Sequence, residues 1–451
     1  MNPRRPIIVL LIFGVLVALT LSLVPYSLTT VRGWKQQVAD KLSGKVEEPK
    51  SQSPEPSKAE PVFDVASWLA ARGEAPETHG VLIESLDGKH VLASHNAEEV
   101  FNPASLVKLA TSLAALRKLG AGYRFQTRVF ADGEVDQTGT LRGTLYVAGN
   151  DPTFGDVAAN MIARELGARG IKKVTEAVKV SEGFCFNFSE SSDESAARLL
   201  KALRLGNPQT GVAAEPAGQE LFALNSYPLH DILLYMNAHS SNFVAERLGA
   251  LVGGPVGIQE FLTGELRLPP DKLRIERASG RERNRMTPRD LLTVIRALVE
   301  EGRRQGLEPQ DIMPVASDDK GTLRRRLSGT GLEGAVVGKT GTLTPDVDGG
   351  MASLAGIVYT QNAGIMIFVM LDQGNRIGEN RELEDQLLSE IVNSQTSPLA
   401  IGSPTPRQLL PSSELEIEKS DSANVTTSVN QTPAAEPKKI ERKGGGRKRA
   451  R

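Results

Sequence analysis

The sequence predicts an α+β fold in which strands from both ends of the folded region join one sheet and helices lie between them. Three observations predict it. Strand-like runs occur early, at 81–94, and late, at 335–341 and 351–371. Helical periodicity fills much of the interval, at 156–168, 193–204, 228–252 and 287–302. A dense apolar stretch that opens on Asn102-Pro103 reads as a helix buried all round, at the domain centre.

In chain order, Val81-Leu82-Ile83 and Val91-Leu92-Ala93 flank Asp87-Gly88, a hairpin signal. Pro103 marks a helix N-terminus, followed by Leu106, Val107, Leu109 and Leu113. Residues 125–148 alternate as strands, with turns expected at Asp132-Gly133 and at Gly139 or Gly143. Val157, Met161, Ile162 and Leu166 make one face of a helix over 156–168, and 171–188 returns to strand character. The run Ile365-Met366-Ile367-Phe368-Val369-Met370-Leu371 closes the strands, and a last helix spans 379–393.

The 451 residues carry 53 Lys and Arg against 54 Asp and Glu, a balance that excludes a nucleic-acid binder as a whole. Cys185, the single cysteine, forms no internal disulfide and suits a small buried apolar position. No HExxH pattern is present, and His79, His90 and His95 fit a hairpin surface better than a metal site. No metal or organic cofactor is implied.

The ends differ from the middle. Arg4 and Arg5 precede an uncharged segment, so residues 1–6 are expected in the cytoplasm and 7–31 as a transmembrane signal anchor that exports the rest, with a cleaved signal peptide as the alternative, although no good small-x-small site follows Val24. Residues 32–62 read as a polar spacer, 63–395 as the folded domain, and 396–451 as a disordered tail with a basic C-terminus. Beyond an export segment, that basic end suits anionic lipid or wall polymer, not nucleic acid.

Three short motifs carry the chemistry. Ser105-Leu106-Val107-Lys108 is a Ser-x-x-Lys, whose i and i+3 side chains share a helix face. A lysine there takes the serine proton if burial lowers its pKa. The pattern is expected about twice by chance in such a chain; its second copy, Ser317-Asp318-Asp319-Lys320, lies in a polar stretch with no apolar helix behind it. Ser240-Ser241-Asn242 is a Ser-x-Asn between two apolar helices, where a capping role is the structural alternative. Lys339-Thr340-Gly341-Thr342 ends a strand-like run; Gly341 permits close approach, and the lysine and hydroxyls suit a carboxylate.

In that order the motifs match the signature of penicillin-binding proteins and class A β-lactamases. Phe101-Asn102-Pro103-Ala104-Ser105, the Gly149-Asn150-Asp151-Pro152-Thr153 stretch, Gly321-Thr322-Leu323-Arg324 and Lys339 to Leu343 narrow the match. Over roughly residues 62–395 the chain resembles the D-alanyl-D-alanine carboxypeptidase/endopeptidase family, the class C low-molecular-mass penicillin-binding proteins. Two departures stand out. The middle residue of the second motif is Ser241 in place of Asp, and the family's Asp-Gly-Ser-Gly stretch is Arg277-Ala278-Ser279-Gly280.

The resemblance implies a β-lactamase/transpeptidase-like domain with a reduced subdomain inserted between the first two motifs, within 122–222. It implies a serine-type D-Ala-D-Ala carboxypeptidase acting on peptidoglycan stem peptides outside the cytoplasmic membrane. Endopeptidase action on cross-links is a companion activity, and β-lactams are expected as covalent inhibitors. By motif position, Ser105 is the nucleophile, Lys108 the base, Ser240 the proton shuttle and Lys339 its electrostatic partner. Asn242, Thr340, Gly341 and Thr342 are expected to bind substrate. The alternatives are a β-lactamase-like hydrolase and a non-catalytic wall-binding scaffold. His239 is read as a rim residue.

Overall fold

The computed structural model describes residues 61–401 and the backbone of the short strand at 416–419. The expected membrane segment at 7–31, nearly all of the spacer and the basic C-terminus lie outside the described residues. Among the described residues no helix is long and apolar enough to cross a membrane.

Strands β1 (His79–Ser85) and β2 (Val91–His95) pair as the predicted hairpin. Three late strands join them: β9 (Val336–Leu343), β10 (Met351–Tyr359) and β11 (Ile365–Gln373). The sheet order is β2-β1-β11-β10-β9, all antiparallel, so the two ends of the domain meet at β1 and β11. Alternation explains the unbroken apolar run in β11. Ile367, Val369 and Leu371 belong to one core cluster, and Met366, Phe368 and Met370 to another. Helices cover both faces, so both sets of side chains leave water.

On one face lie α1 (Val65–Ala70) and, late in the chain, α9 (Ile377–Gln395). On the other lie α2 (Val107–Leu119) and α8 (Pro288–Arg304). Every residue of α2 from Val107 to Leu116 is buried, which is the physical meaning of its apolar sequence. A 3₁₀ turn, Ala104–Leu106, leads into it. α8 packs along α2 and starts at a reciprocal cap. The Asp290 N–H donates to Thr287 Oγ1, and the Thr287 N–H donates to Asp290 Oδ2, both at 3.0 Å.

A second sheet lies in sequence between the first two motifs. It contains β3 (Gln126–Val135), β4 (Thr140–Ala148), β5 (Lys173–Val174), β6 (Ala177–Ser181), β7 (Gln209–Ala213) and β8 (Gln219–Asn225), and so runs past residue 222. Helices α3 (Asp156–Ala168) and α4 (Ser192–Leu203) accompany it. Then come α5 (Leu229–His239), α6 (Asn242–Leu251) and α7 (Gly254–Gly264).

Several expectations are corrected. Asp132-Gly133 is not a turn; β3 runs through it, and Gly133 faces Gly143 across the ladder. A Cβ at Gly133 would lie 2.2 Å from the Arg142 carbonyl oxygen, so these glycines serve close backbone approach. The turn is at residues 136–139. The strand expected over 171–188 shrinks to β5 and β6. The helical stretch over 228–252 is two helices that meet at Ser240, as the place of the second motif between apolar helices implied. His79 is not on a surface: it is buried, with Nδ1 2.6 Å from Asp372 Oδ1. The tail expected to lack strand structure supplies β12 (Glu416–Lys419), antiparallel to β8; four residues are too few to display a period. Cys185 is buried as expected, its Sγ donating to the Asp151 carbonyl at 3.1 Å.

Removing the α8 cap tests its contribution. Thr287→Ala should lower the unfolding free energy by about 1 kcal/mol, read as an earlier urea midpoint at unchanged slope; an unchanged midpoint would contradict it.

Candidate active site

The Ser105 turn is held by unusual backbone. Ala104 has φ 53°, in the left-handed region that a residue with a Cβ seldom adopts. Two glycines close on this turn. A Cβ on Gly280, itself at φ 80°, would stand 1.9 Å from the Ala104 carbonyl oxygen and 3.0 Å from Ser105 Cα. A Cβ on Gly341 would meet Ser353 Oγ at 2.1 Å and Ala104 Cβ at 3.0 Å. Asn102 Oδ1 accepts from the Ala104 N–H at 3.1 Å, and Asn102 Nδ2 donates to Asp348 at 2.7 Å. Sequence, strand and loop therefore fix the nucleophile's position by direct backbone contact.

Lys108, the second residue of α2 and one turn after Ser105, is fully buried. Its Nζ is 3.0 Å from Ser105 Oγ, 2.8 Å from Asn242 Oδ1 and 2.5 Å from the Ser279 carbonyl oxygen. Burial lowers its pKa to about 7; Glu246 opposes the shift and Arg281 adds to it. A neutral amine has two N–H bonds and one lone pair. The amide oxygen and the carbonyl can only accept, so they take the two N–H groups. The lone pair is left for the Ser105 hydroxyl, whose proton it can receive.

The second motif sits at a helix break. Ser240 ends α5 at φ 51°, its N–H donating to the Met236 carbonyl. Ser241 then caps α6, its Oγ accepting from the Val244 N–H. Capping thus falls to Ser241, for which Ser and Asp serve alike, and the Ser240 hydroxyl is left to Lys339. Asn242 opens α6 and faces Lys108.

Lys339 is buried on β9, the edge strand of the five-stranded sheet. Its Nζ donates to Ser240 Oγ at 2.9 Å and to the Thr340 carbonyl. Burial, then the nearby Lys108, holds its pKa well below the usual lysine value. The Thr342 hydroxyl donates to the Gly341 carbonyl at 2.7 Å. Ser105 and Asn242 thus meet at the Lys108 amine, Ser240 meets the Lys339 amine, the two amines are near enough to repel, and Thr340, Gly341 and Thr342 continue along the edge strand that carries Lys339.

Other residues enter that the sequence reading did not assign. Ser279 contributes a carbonyl to Lys108, and its N–H donates to Glu246 Oε1 at 3.1 Å. Ala278 accepts from Thr111 Oγ1 at 2.7 Å. The altered Arg277-Ala278 pair therefore leaves intact what the stretch does here, because backbone atoms do it. The discounted copy at Ser317 lies in a bent loop, with its hydroxyl donating to the Val315 carbonyl at 3.3 Å. His239 is half-buried, its ring 4.7 Å from that of Tyr235.

The fold is shared with solved structures. A predatory peptidoglycan endopeptidase from Bdellovibrio bacteriovorus superposes with TM-score 0.62 at 20% identity, covering 72% of this chain and 96% of that one. Penicillin binding protein 4 from Haemophilus influenzae superposes with TM-score 0.57 at 18% identity, covering 73% and 99%. These likenesses show a β-lactamase/transpeptidase-like fold. Among curated relatives, the D-alanyl-D-alanine carboxypeptidase of Actinomadura sp. (strain R39) is 31% identical over 94 residues, which is 21% of this chain and 17% of that protein.

Because the Gly280 grip sets the nucleophile turn, Gly280→Ala should destabilise the domain by about 2 kcal/mol or more and displace Ser105; a melt and site reactivity equal to those of the parent would contradict this. The profile of the D-Ala-D-Ala carboxypeptidase 3 (S13) family matches residues 63–187 and 190–392, more than half of the chain, and the chain belongs to that family.

Proposed function

We propose that this chain is a serine-type D-alanyl-D-alanine peptidase that cleaves peptidoglycan stem peptides through an acyl-enzyme on Ser105. One observation carries the reading. The Lys108 amine has two acceptor-only partners and one hydroxyl partner, so its free lone pair falls on Ser105.

In this reading Ser105 Oγ attacks the carbonyl carbon between two D-alanines as its proton passes to Lys108 Nζ. The backbone N–H groups of Ser105 and Thr342 serve the developing oxyanion. As the C–N bond breaks, the leaving nitrogen takes a proton by way of Ser240, whose hydroxyl is polarised by Lys339. Asn242 also holds the peptide amide, while Thr340 and Thr342 receive the terminal carboxylate and Gly341 lets the substrate backbone lie close. Water then hydrolyses the ester. Only the neutral Lys108 amine accepts a proton, so acylation is about half-maximal near pH 7, rises toward its plateau above it and falls away below it.

Carboxypeptidase action is the primary activity and cleavage of cross-links its companion, since both bonds join a D-amino-acid acyl group to an amine. The curated Actinomadura relative carries the first activity in its name, and the Bdellovibrio neighbour the second. β-Lactams act as covalent inhibitors; one solved Bdellovibrio neighbour is described as acylated by penicillin G. The segment at 7–31 anchors the domain outside the cytoplasmic membrane, and the basic tail meets anionic lipid or wall polymer.

A fluorescent penicillin tests the reading. The parent protein should retain the label through denaturing electrophoresis, less of it at pH 5.5 than at pH 7.5 in buffer values chosen about the expected transition, and Ser105→Ala should retain none. Release of D-alanine from a pentapeptide with slow loss of label supports the peptidase. Rapid loss of label would support a β-lactamase instead, and an unlabelled parent would sink the proposal.

A further inference from the structure

Thr342, at the end of the edge strand, is touched from outside the three motifs. Arg381 Nη2, from the first turns of α9, donates to Thr342 Oγ1 at 2.6 Å. α9 packs on the face of the sheet opposite α2, and from it the guanidinium reaches Thr342 at the open edge of β9.

Its neighbours show what is unusual about Arg381. Arg326 is held by Glu384 and Asp385, each at 2.7 Å. Arg376 is held by Glu74 and Glu379. Among the described residues Arg381 pairs with no carboxylate, although α9 is rich in them. Its backbone is nonetheless fixed, because Arg326 Nη2 donates to the Arg381 carbonyl at 3.2 Å. The largely buried Arg326 and the fully buried Glu384 thus tie the helix at the residue whose side chain reaches the strand. The guanidinium is exposed, anchored through one N–H and open at the others.

We propose that Arg381 is a specificity residue for the leaving group, recognising the carboxylate on the carbon next to the scissile nitrogen together with Thr342. The inference rests on the peptidase reading and deepens it. A guanidinium presents paired N–H groups that match a carboxylate. The Thr342 hydroxyl, spent on the Gly341 carbonyl as donor and on Arg381 as acceptor, turns outward once a carboxylate replaces it as the guanidinium's partner. D-Alanine and the D-centre amino acid of a cross-link both carry that carboxylate, so both substrates satisfy the site and an amidated or esterified end does not.

The test compares a fluorescent penicillin bearing its free carboxylate with the methyl ester of the same compound. Second-order labelling constants are measured for the parent, Arg381→Gln and Arg381→Lys, with melting curves to confirm folding. Arg381→Gln should slow labelling by the free acid about tenfold and leave the ester unchanged, with Arg381→Lys in between. Equal slowing of acid and ester, or no slowing of either, would overturn the assignment. A parent that fails to label with the free acid is a different result: it sinks the peptidase reading itself, before Arg381 is at issue.

Discussion

The buried amine of Lys108 is the contact on which the site depends. Three segments far apart in the chain meet at one nitrogen: the serine turn, the first residue of α6 and the loop at Ser279. A charged ammonium in that place would be costly to desolvate. The surroundings answer this by lowering the pKa and by supplying acceptors enough for a neutral amine. The same arrangement that makes burial tolerable leaves the lone pair on Ser105, so packing and reactivity have one cause.

The rest of the domain holds those segments in register. The 3₁₀ turn at Ala104–Leu106 runs straight into the buried helix α2, which sets the half-buried Ser105 and the fully buried Lys108 one turn apart. The five-stranded sheet, buried on both faces, brings β9 to the serine turn, where Gly341 and Gly280 allow backbone to touch backbone. The left-handed φ values of Ala104 and Ser240 fall at the nucleophile turn and the helix break. Local strain at those two points is supported by the surrounding packing.

Much of this was readable in the sequence because it depends on side-chain type. Ser105, Lys108, Ser240, Asn242 and Lys339 announce themselves by identity and order. The sheet that unites both ends was readable because the apolar runs Val81-Leu82-Ile83 in β1 and Ile365 to Leu371 in β11 stand out from their surroundings. What was hidden depends on backbone or on distant contacts. Ser279 acts through a carbonyl that any residue would offer. Arg381 lies far along the chain on a helix whose pattern is ordinary. Asp132-Gly133 has the composition of a turn, yet it serves the approach of two strands. β12 pairs over four residues, too short a stretch for periodicity to register.

The chemistry turns on a Lys108 amine whose pKa burial lowers to about 7, so that a large share of it is neutral there. The most direct test follows the side-chain Cε resonances of protein labelled with ¹³C-lysine through a pH titration, with Lys108→Met identifying the signal. The signal lost in Lys108→Met should titrate near pH 7, far below the surface lysines. A signal that titrates with the surface lysines, near their usual value of about 10.4, would contradict it.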